Sequence, residues 1–237
     1  MPPSWPPGSS PSTTARWPKP LRTTSGKWPA ADAEVTCRAL DLDAAAGRLA
    51  AGGVLILATD TLPGLHARAD LPVAVDRVRS LKKRDRGQPL LLLAGSANQV
   101  GTLLAPLSPA QLLACDRCWP GPFTLILPAA EDLLGHLATP DGTLAVRVPE
   151  HTSLRRLIAT AGFPLVSTSV NRPGAPPCVS LDDAVRAFGD RVDGYWPAES
   201  PLPVAVAPSC LVDLTGPAPR VLRAGPLPFP EGGGDGS

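Results

Sequence analysis

A chain of 237 residues, 43% of them hydrophobic, can build one domain of ordinary to large size or two small ones. Its 22 Lys and Arg are balanced by 21 Asp and Glu, a net charge of +1, so any basic site must be local. No apolar run reaches the roughly 18 residues of a membrane-spanning helix, and five irregularly spaced cysteines do not make a secreted disulfide framework, which fits a cytoplasmic protein.

Residues 1–33 hold eight prolines and many Ser and Thr without helical or strand periodicity, and read as an unstructured leader. No apolar segment follows the basic residues Arg16, Lys19, Arg22 and Lys27, so the leader lacks the pattern of a secretory signal. Residues 34–228 form the expected folded domain, and 229–237 a Gly-rich tail. Leu42, Ala45, Ala46, Leu49 and Ala50 have helical spacing and stop at Gly52-Gly53. Val54 to Ala58 reads as a buried strand. Asp70 is placed to cap a helix carrying Val73, Val78 and Leu81, with Pro72 in its first turn. Pro89 to Leu93 is a second buried strand. Ser108 and Gln111 form a capping box that opens a helix. Phe123 to Leu127 and Leu144 to Val148 read as strands, Thr152 to Ala161 as a helix, and Leu165 to Thr168 as a strand. Ser180 caps a helix through Phe188, and strands at Leu211 to Leu214 and Arg220 to Leu222 complete the order. Alternating strands and helices predict an α/β domain with a twisted, mixed sheet flanked by helices.

The phosphate loop G-x-x-x-x-G-K-[ST], the dinucleotide fingerprint G-x-G-x-x-G, H-E-x-x-H and G-x-S-x-G are all missing. His66, His136 and His151 are scattered and read as structural or surface residues. Cys115 and Cys118 form C-x-x-C without a second Cys/His pair, so they read as plain thiols and no metal site is expected. Nucleotide chemistry here needs another design.

Six segments place hydroxyls and cations at the ends of predicted strands: Thr59 to Leu65; Lys82 to Arg84 with Pro89-Leu90 behind; Trp119 to Thr124; Arg147 to His151; Ser167, Ser169 and Asn171; and Ser209 to Asp213 leading to Leu222 to Gly225. Singly, each has a plain structural reading, such as a turn, a helix end or a loop cap. In this order they resemble the YrdC-type family, whose pattern runs P-T-[DE]-T-x-[YF]-G-L, K-x-R, W-P-G-P-x-T, R-x-P-x-H, S-x-N, S-T-V-V-D and L-R-x-G. The resemblance covers roughly residues 53–225 and is to the short form, without an additional C-terminal domain. The departures are Ala58 for proline, Pro63 for an aromatic, Leu93 where some members carry a His, Cys210 for threonine, and Pro201 to Pro208 for a glycine-rich approach.

The resemblance implies an L-threonylcarbamoyladenylate synthase with a basic concave site. The threonine amine takes up bicarbonate to give a carbamate, and a carbamate oxygen displaces pyrophosphate from the α-phosphate of ATP. Two anions must meet, so cations and oriented donors are needed and a covalent nucleophile is not. By the same resemblance Lys82, Arg84, Ser169 and Asn171 hold the ATP phosphates and carry the catalysis, with Mg²⁺ accompanying ATP. Thr124 and Arg223 are further nucleotide contacts. Thr61, Arg147 and Ser167 bind threonine and its carbamate, and Lys83 and Arg86 are solvated charges. Implied partners are ATP, threonine, bicarbonate, and a threonylcarbamoyl-transferase complex that takes the product for tRNA N6-threonylcarbamoyladenosine. The competing readings are a tRNA- or double-stranded-RNA-binding module, an inactive paralogue, and a hydrogenase-maturation carbamoyl-transfer domain. The chain's 4% aromatic content offers little for base stacking.

Overall fold

The computed structural model describes residues 37–83, 90–131, 135–137, 139–171, 176–198 and 207–230. Helix α1 (Leu42–Ala50) leads to β1 (Leu55–Leu57), β2 (Gly64–Arg68), α2 (Pro72–Lys82) and β3 (Leu91–Leu93). Two further helices, α3 (Ala97–Gly101) and α4 (Pro109–Cys118), precede β4 (Phe123–Pro128) and β5 (Thr143–Arg147). Then come α5 (Thr152–Ala161), β6 (Leu165–Ser169), α6 (Leu181–Phe188), a 3-10 turn (Gly189–Arg191), β7 (Tyr195–Trp196), β8 (Cys210–Asp213) and β9 (Arg220–Arg223). Among the described residues the strands form one mixed sheet in the order β7-β1-β2-β6-β3-β5-β4-β8-β9. Pairs β1–β7, β3–β5 and β4–β8 are parallel, and the others antiparallel.

Local chemistry explains the element ends. The Asp41 side chain accepts from the Ala44 N–H and caps α1. The Ser108–Gln111 box is formed in both directions, with Ser108 N–H donating to Gln111 Oε1 at 2.8 Å. Ser180 accepts from the Asp183 N–H at the start of α6. The expected Asp70 cap does not form. Leu71 is the N-cap of α2, without a side-chain bond, because the Asp70 carboxylate is held by the Arg68 guanidinium.

Strand β2 is the main addition to the elements predicted from sequence. Gly64 suggests a turn, but the turn lies at 59–63 and Gly64 opens the strand. A Cβ there would sit 2.7 Å from His66 Cε1 and 3.1 Å from the Thr168 carbonyl oxygen, so glycine permits a close approach. The short β7 and α3 carry too few residues to show a period.

Helices α2, α4 and α6 cover one face of the sheet, packing Val75, Val78, Cys118 and Phe188 with Leu92, Leu125, Val146 and Val166. On the other face α1 and α5 cover only one half. Leu49, Leu157 and Ile158 bury there with Leu55, Leu57, Leu93 and Leu165. Each fully buried Leu contributes about 1.5–3 kcal/mol of apolar transfer energy, which fixes the half-covered sheet as a rigid floor. The uncovered half of that face is where polar side chains can meet a ligand. Among the described residues no helix is long and apolar enough to cross a membrane.

Candidate active site

Strand alternation puts one set of side chains on the open half of the sheet. Leu91, Ala145 and Ser167 stand side by side in register, as do Gly64 and Ser169. With Thr61, Thr124, Arg147, Ser209 and Arg223 they line a cleft of about 520 Å³. A second cavity of about 570 Å³, walled by Arg48, Leu71, Val73, Arg77 and Asp193, lies between the end of α1 and the start of α2 and holds none of these groups.

One end of the cleft is organised around Arg147, the last residue of β5, which is 2% exposed. A charge buried this deeply needs a counter-charge. Asp60, in the turn after β1, forms an ion pair with Arg147 Nη2 and accepts from the Glu150 N–H at 3.0 Å. Arg147 Nη1 donates to Thr61 Oγ1 at 2.6 Å. Thr59 braces the turn, its Oγ1 accepting from the Thr61 N–H at 3.1 Å and donating to the Leu62 carbonyl at 2.8 Å. The sequence matched Arg147 to a substrate carboxylate. In the structure its terminal nitrogens are already engaged, and Nε is buried without a hydrogen-bond partner. Burial lowers the Arg147 pKa, Asp60 opposes the shift, and the positive charge of Arg223 adds to it. Burial also lowers that of Arg223. An anion between these guanidinium groups would relieve their repulsion.

At Ser169 two distant segments converge. The Lys82 ammonium, at the end of α2, donates to the Ser169 carbonyl at 2.7 Å and to Asn171 Oδ1. The K-x-R and S-x-N segments therefore meet, as the resemblance implied for Lys82, Ser169 and Asn171. Arg84 lies outside the described residues. On the far wall Thr124 and Ser209 hydroxyls are 2.7 Å apart, and Arg223 Nε and Nη2 donate to the Ser209 carbonyl at 3.2 and 3.0 Å. Gly225 lets this segment pass, since a Cβ there would lie 2.2 Å from the Cys210 backbone nitrogen.

Sequence reasoning gave no role to Asp60, Ser209 or His66. Asp60 had a legible signal, because Arg147 inside a buried strand demands an acid and Thr-Asp-Thr ends another strand. Cys115 and Cys118 are free and buried, and burial chiefly pushes their thiols up to about 11 and about 12. Such thiols are poor nucleophiles and poor metal ligands at neutral pH.

His66 is fully buried beside the cleft, its Nε2 3.0 Å from Ser167 Oγ. Burial lowers its pKa from 6.5 to about 3; the charge of Arg147 helps and the Gly64 backbone opposes. The unfolded chain therefore binds an extra proton between those values. The contribution is complete above pH 6.5 and is lost as pH falls toward 3, with a slope approaching about 1.4 kcal/mol per pH unit. Denaturant unfolding between pH 7 and pH 4 should show a shallower loss for His66→Gln than for the native chain. Equal slopes would show that other groups govern the acid limb.

The Sua5/YciO/YrdC family model, described as telomere recombination, matches residues 48–225. The threonylcarbamoyl-AMP synthase of Chromohalobacter salexigens is 38% identical over 148 residues, covering 62% of this chain and 80% of that protein. A putative threonylcarbamoyl-AMP synthase of Mycobacterium tuberculosis is 33% identical over 193 residues, covering 80% of this chain and 86% of its own. The structure of P. abyssi Sua5 complexed with L-threonine superposes with a TM-score of 0.73 at 29% identity, over 79% of this chain. The chain spans 54% of that Sua5 chain.

Proposed function

The chain belongs to the Sua5/YciO/YrdC family, and from that premise we infer that it is an L-threonylcarbamoyladenylate synthase. One observation carries the reading from family to chemistry. Lys82 comes from a segment distant in sequence to bond Ser169 and Asn171, and Ser169 lines a cleft that also presents Thr61, Arg147, Ser167, Thr124 and Arg223. That arrangement suits two anions that must react.

Threonine and bicarbonate condense to the carbamate with loss of water. A carbamate oxygen then attacks the α-phosphorus of ATP, the phosphorus–oxygen bond to the β-phosphate breaks, and pyrophosphate leaves. Lys82 and Asn171, with Arg84, hold the phosphates, while Thr124, Ser209 and Arg223 meet the nucleotide from the opposite wall. Thr61, Ser167 and the Arg147 guanidinium face the amino acid and its carbamate. Fixed donors of this kind stabilise developing phosphoryl charge without reorganising.

Mg²⁺ fits as a companion of ATP. Among the described residues no group of three or more His, Cys, Asp or Glu could hold a metal ion, while the cleft offers hydroxyls and the Asp141 carboxylate. A donor set with one acid suits Mg²⁺ held by substrate phosphates and water, with Asp141 as the protein-side oxygen. Bound there, the ion would neutralise phosphate charge. By the same reading the adenylate is handed, in the cytoplasm, to a threonylcarbamoyl-transferase complex that modifies tRNA.

Purified protein given ATP, bicarbonate and threonine should release pyrophosphate in a threonine-dependent manner. Threonine should be preferred, but discrimination against serine should be weak, since one methyl distinguishes substrates by only about 1–3 kcal/mol. ATP turnover promoted by neither amino acid would overturn the synthase reading in favour of an inactive, RNA-binding relative.

A further inference from the structure

His66 faces Ser167 across the β2–β6 pairing, with Nε2 3.0 Å from the Ser167 hydroxyl. Ser167 and Gly64 line the cleft, while His66 is 0% exposed and lies beside them on the same face of the sheet. The ring fills the space left by the missing Gly64 side chain, since a Cβ there would be 2.7 Å from Cε1 and 3.1 Å from Nε2. Its Nδ1 is buried without a hydrogen-bond partner, so the bond to Ser167 is the imidazole's one side-chain link to the cleft wall.

A serine hydroxyl has one proton and two lone pairs and otherwise turns freely. Binding one direction to a fixed imidazole leaves the remaining directions aimed at the cleft. The nearby Arg147 charge and the dry surroundings keep the ring neutral through the neutral pH range, so the bond persists. We propose that His66 is a positioning residue for the amino-acid substrate, fixing the Ser167 hydroxyl that meets it. The proposal rests on the synthase reading of the cleft.

The test compares threonine binding by calorimetry and steady-state constants for the native chain, His66→Ala, His66→Gln, Ser167→Ala and the His66→Ala/Ser167→Ala double variant. Loss of one neutral hydrogen bond predicts about a three- to tenfold rise in Kd and KM for threonine in His66→Ala, with KM for ATP unchanged. Glutamine, which reaches the same hydroxyl, should recover most of the loss. The double variant should be no worse than Ser167→Ala, because both remove one interaction. Unchanged threonine affinity in folded His66→Ala, or additive losses in the double variant, would overturn the proposal. If His66→Ala does not fold, an unchanged threonine KM in Ser167→Ala does so equally. A native chain that neither binds nor turns over threonine instead sinks the synthase reading and takes this proposal with it; native binding with unaltered variants sinks the proposal alone.

Discussion

Asp60→Ala should lower the free energy of unfolding by about 3–5 kcal/mol, the cost of leaving a buried charge without its partner. Asp60 and Arg147 side chains are 4% and 3% exposed, so water cannot replace the lost carboxylate. The same change releases the Glu150 N–H, which tethers the loop after β5 to the turn after β1. Among the described side-chain contacts, the end of β5 then keeps only the Arg147–Thr61 bond to the turn after β1. Asp60→Asn keeps an oxygen acceptor but not the charge, and should fall between the native chain and alanine. Arg220→Ala is the contrast: Arg220 pairs with Asp213 but is 72% exposed, and exposed pairs contribute little. Chemical denaturation of the three variants decides the matter. An Asp60→Ala chain as stable as Arg220→Ala would show that Arg147 finds another anion or reaches solvent. The change should also raise KM for threonine, because Arg147, which holds the Thr61 hydroxyl, loses its anchor.

The sheet's strands were legible where apolar runs lay between turn residues. Val54 to Ala58, Phe123 to Leu127 and Leu165 to Thr168 agree with β1, β4 and β6 to within a residue or so. Helices α5 and α6 were legible in full because their apolar spacing and caps agree. Strand β2 was hidden by Gly64 and His66, residues that signal turn or surface when read singly. Their presence in a strand depends on a contact with Thr168, about a hundred residues away, which local pattern cannot carry. For the site, ordered motifs named the side chains, and the fold supplied their company. The Lys82–Ser169–Asn171 cluster was implied by resemblance alone. The Asp60 partner of Arg147 and the Ser209 partner of Thr124 are tertiary facts. A buried strand carrying Arg147 called for an acid, but only the fold shows Asp60 and Thr61 taking up its terminal nitrogens.

Lys82→Ala should reduce threonine-dependent pyrophosphate release about ten- to hundredfold, the worth of one charge-assisted contact at about 1.5–3 kcal/mol. Its ammonium reaches the end of β6 and binds Asn171, so removal both strips a cation from the phosphates and frees Asn171 Oδ1. Asn171→Ala should cost less, since it removes a neutral amide and leaves the charge. Arg84→Ala should match or exceed Lys82→Ala, since its guanidinium fork suits phosphate bidentately. Lys83 is the neighbour that discriminates. It caps α2 with φ of 51° and is exposed, whereas Lys82 is partly buried and its ammonium is bonded to Ser169 and Asn171. Lys83→Ala therefore keeps activity while removing the same charge one residue away. ATP affinity by calorimetry should follow the same order, with circular dichroism confirming that each variant folds. A specific phosphate site predicts a steep difference between adjacent lysines. A diffuse basic surface predicts nearly equal small losses at Lys82, Lys83 and Arg84, and that outcome would move RNA binding ahead of nucleotide chemistry.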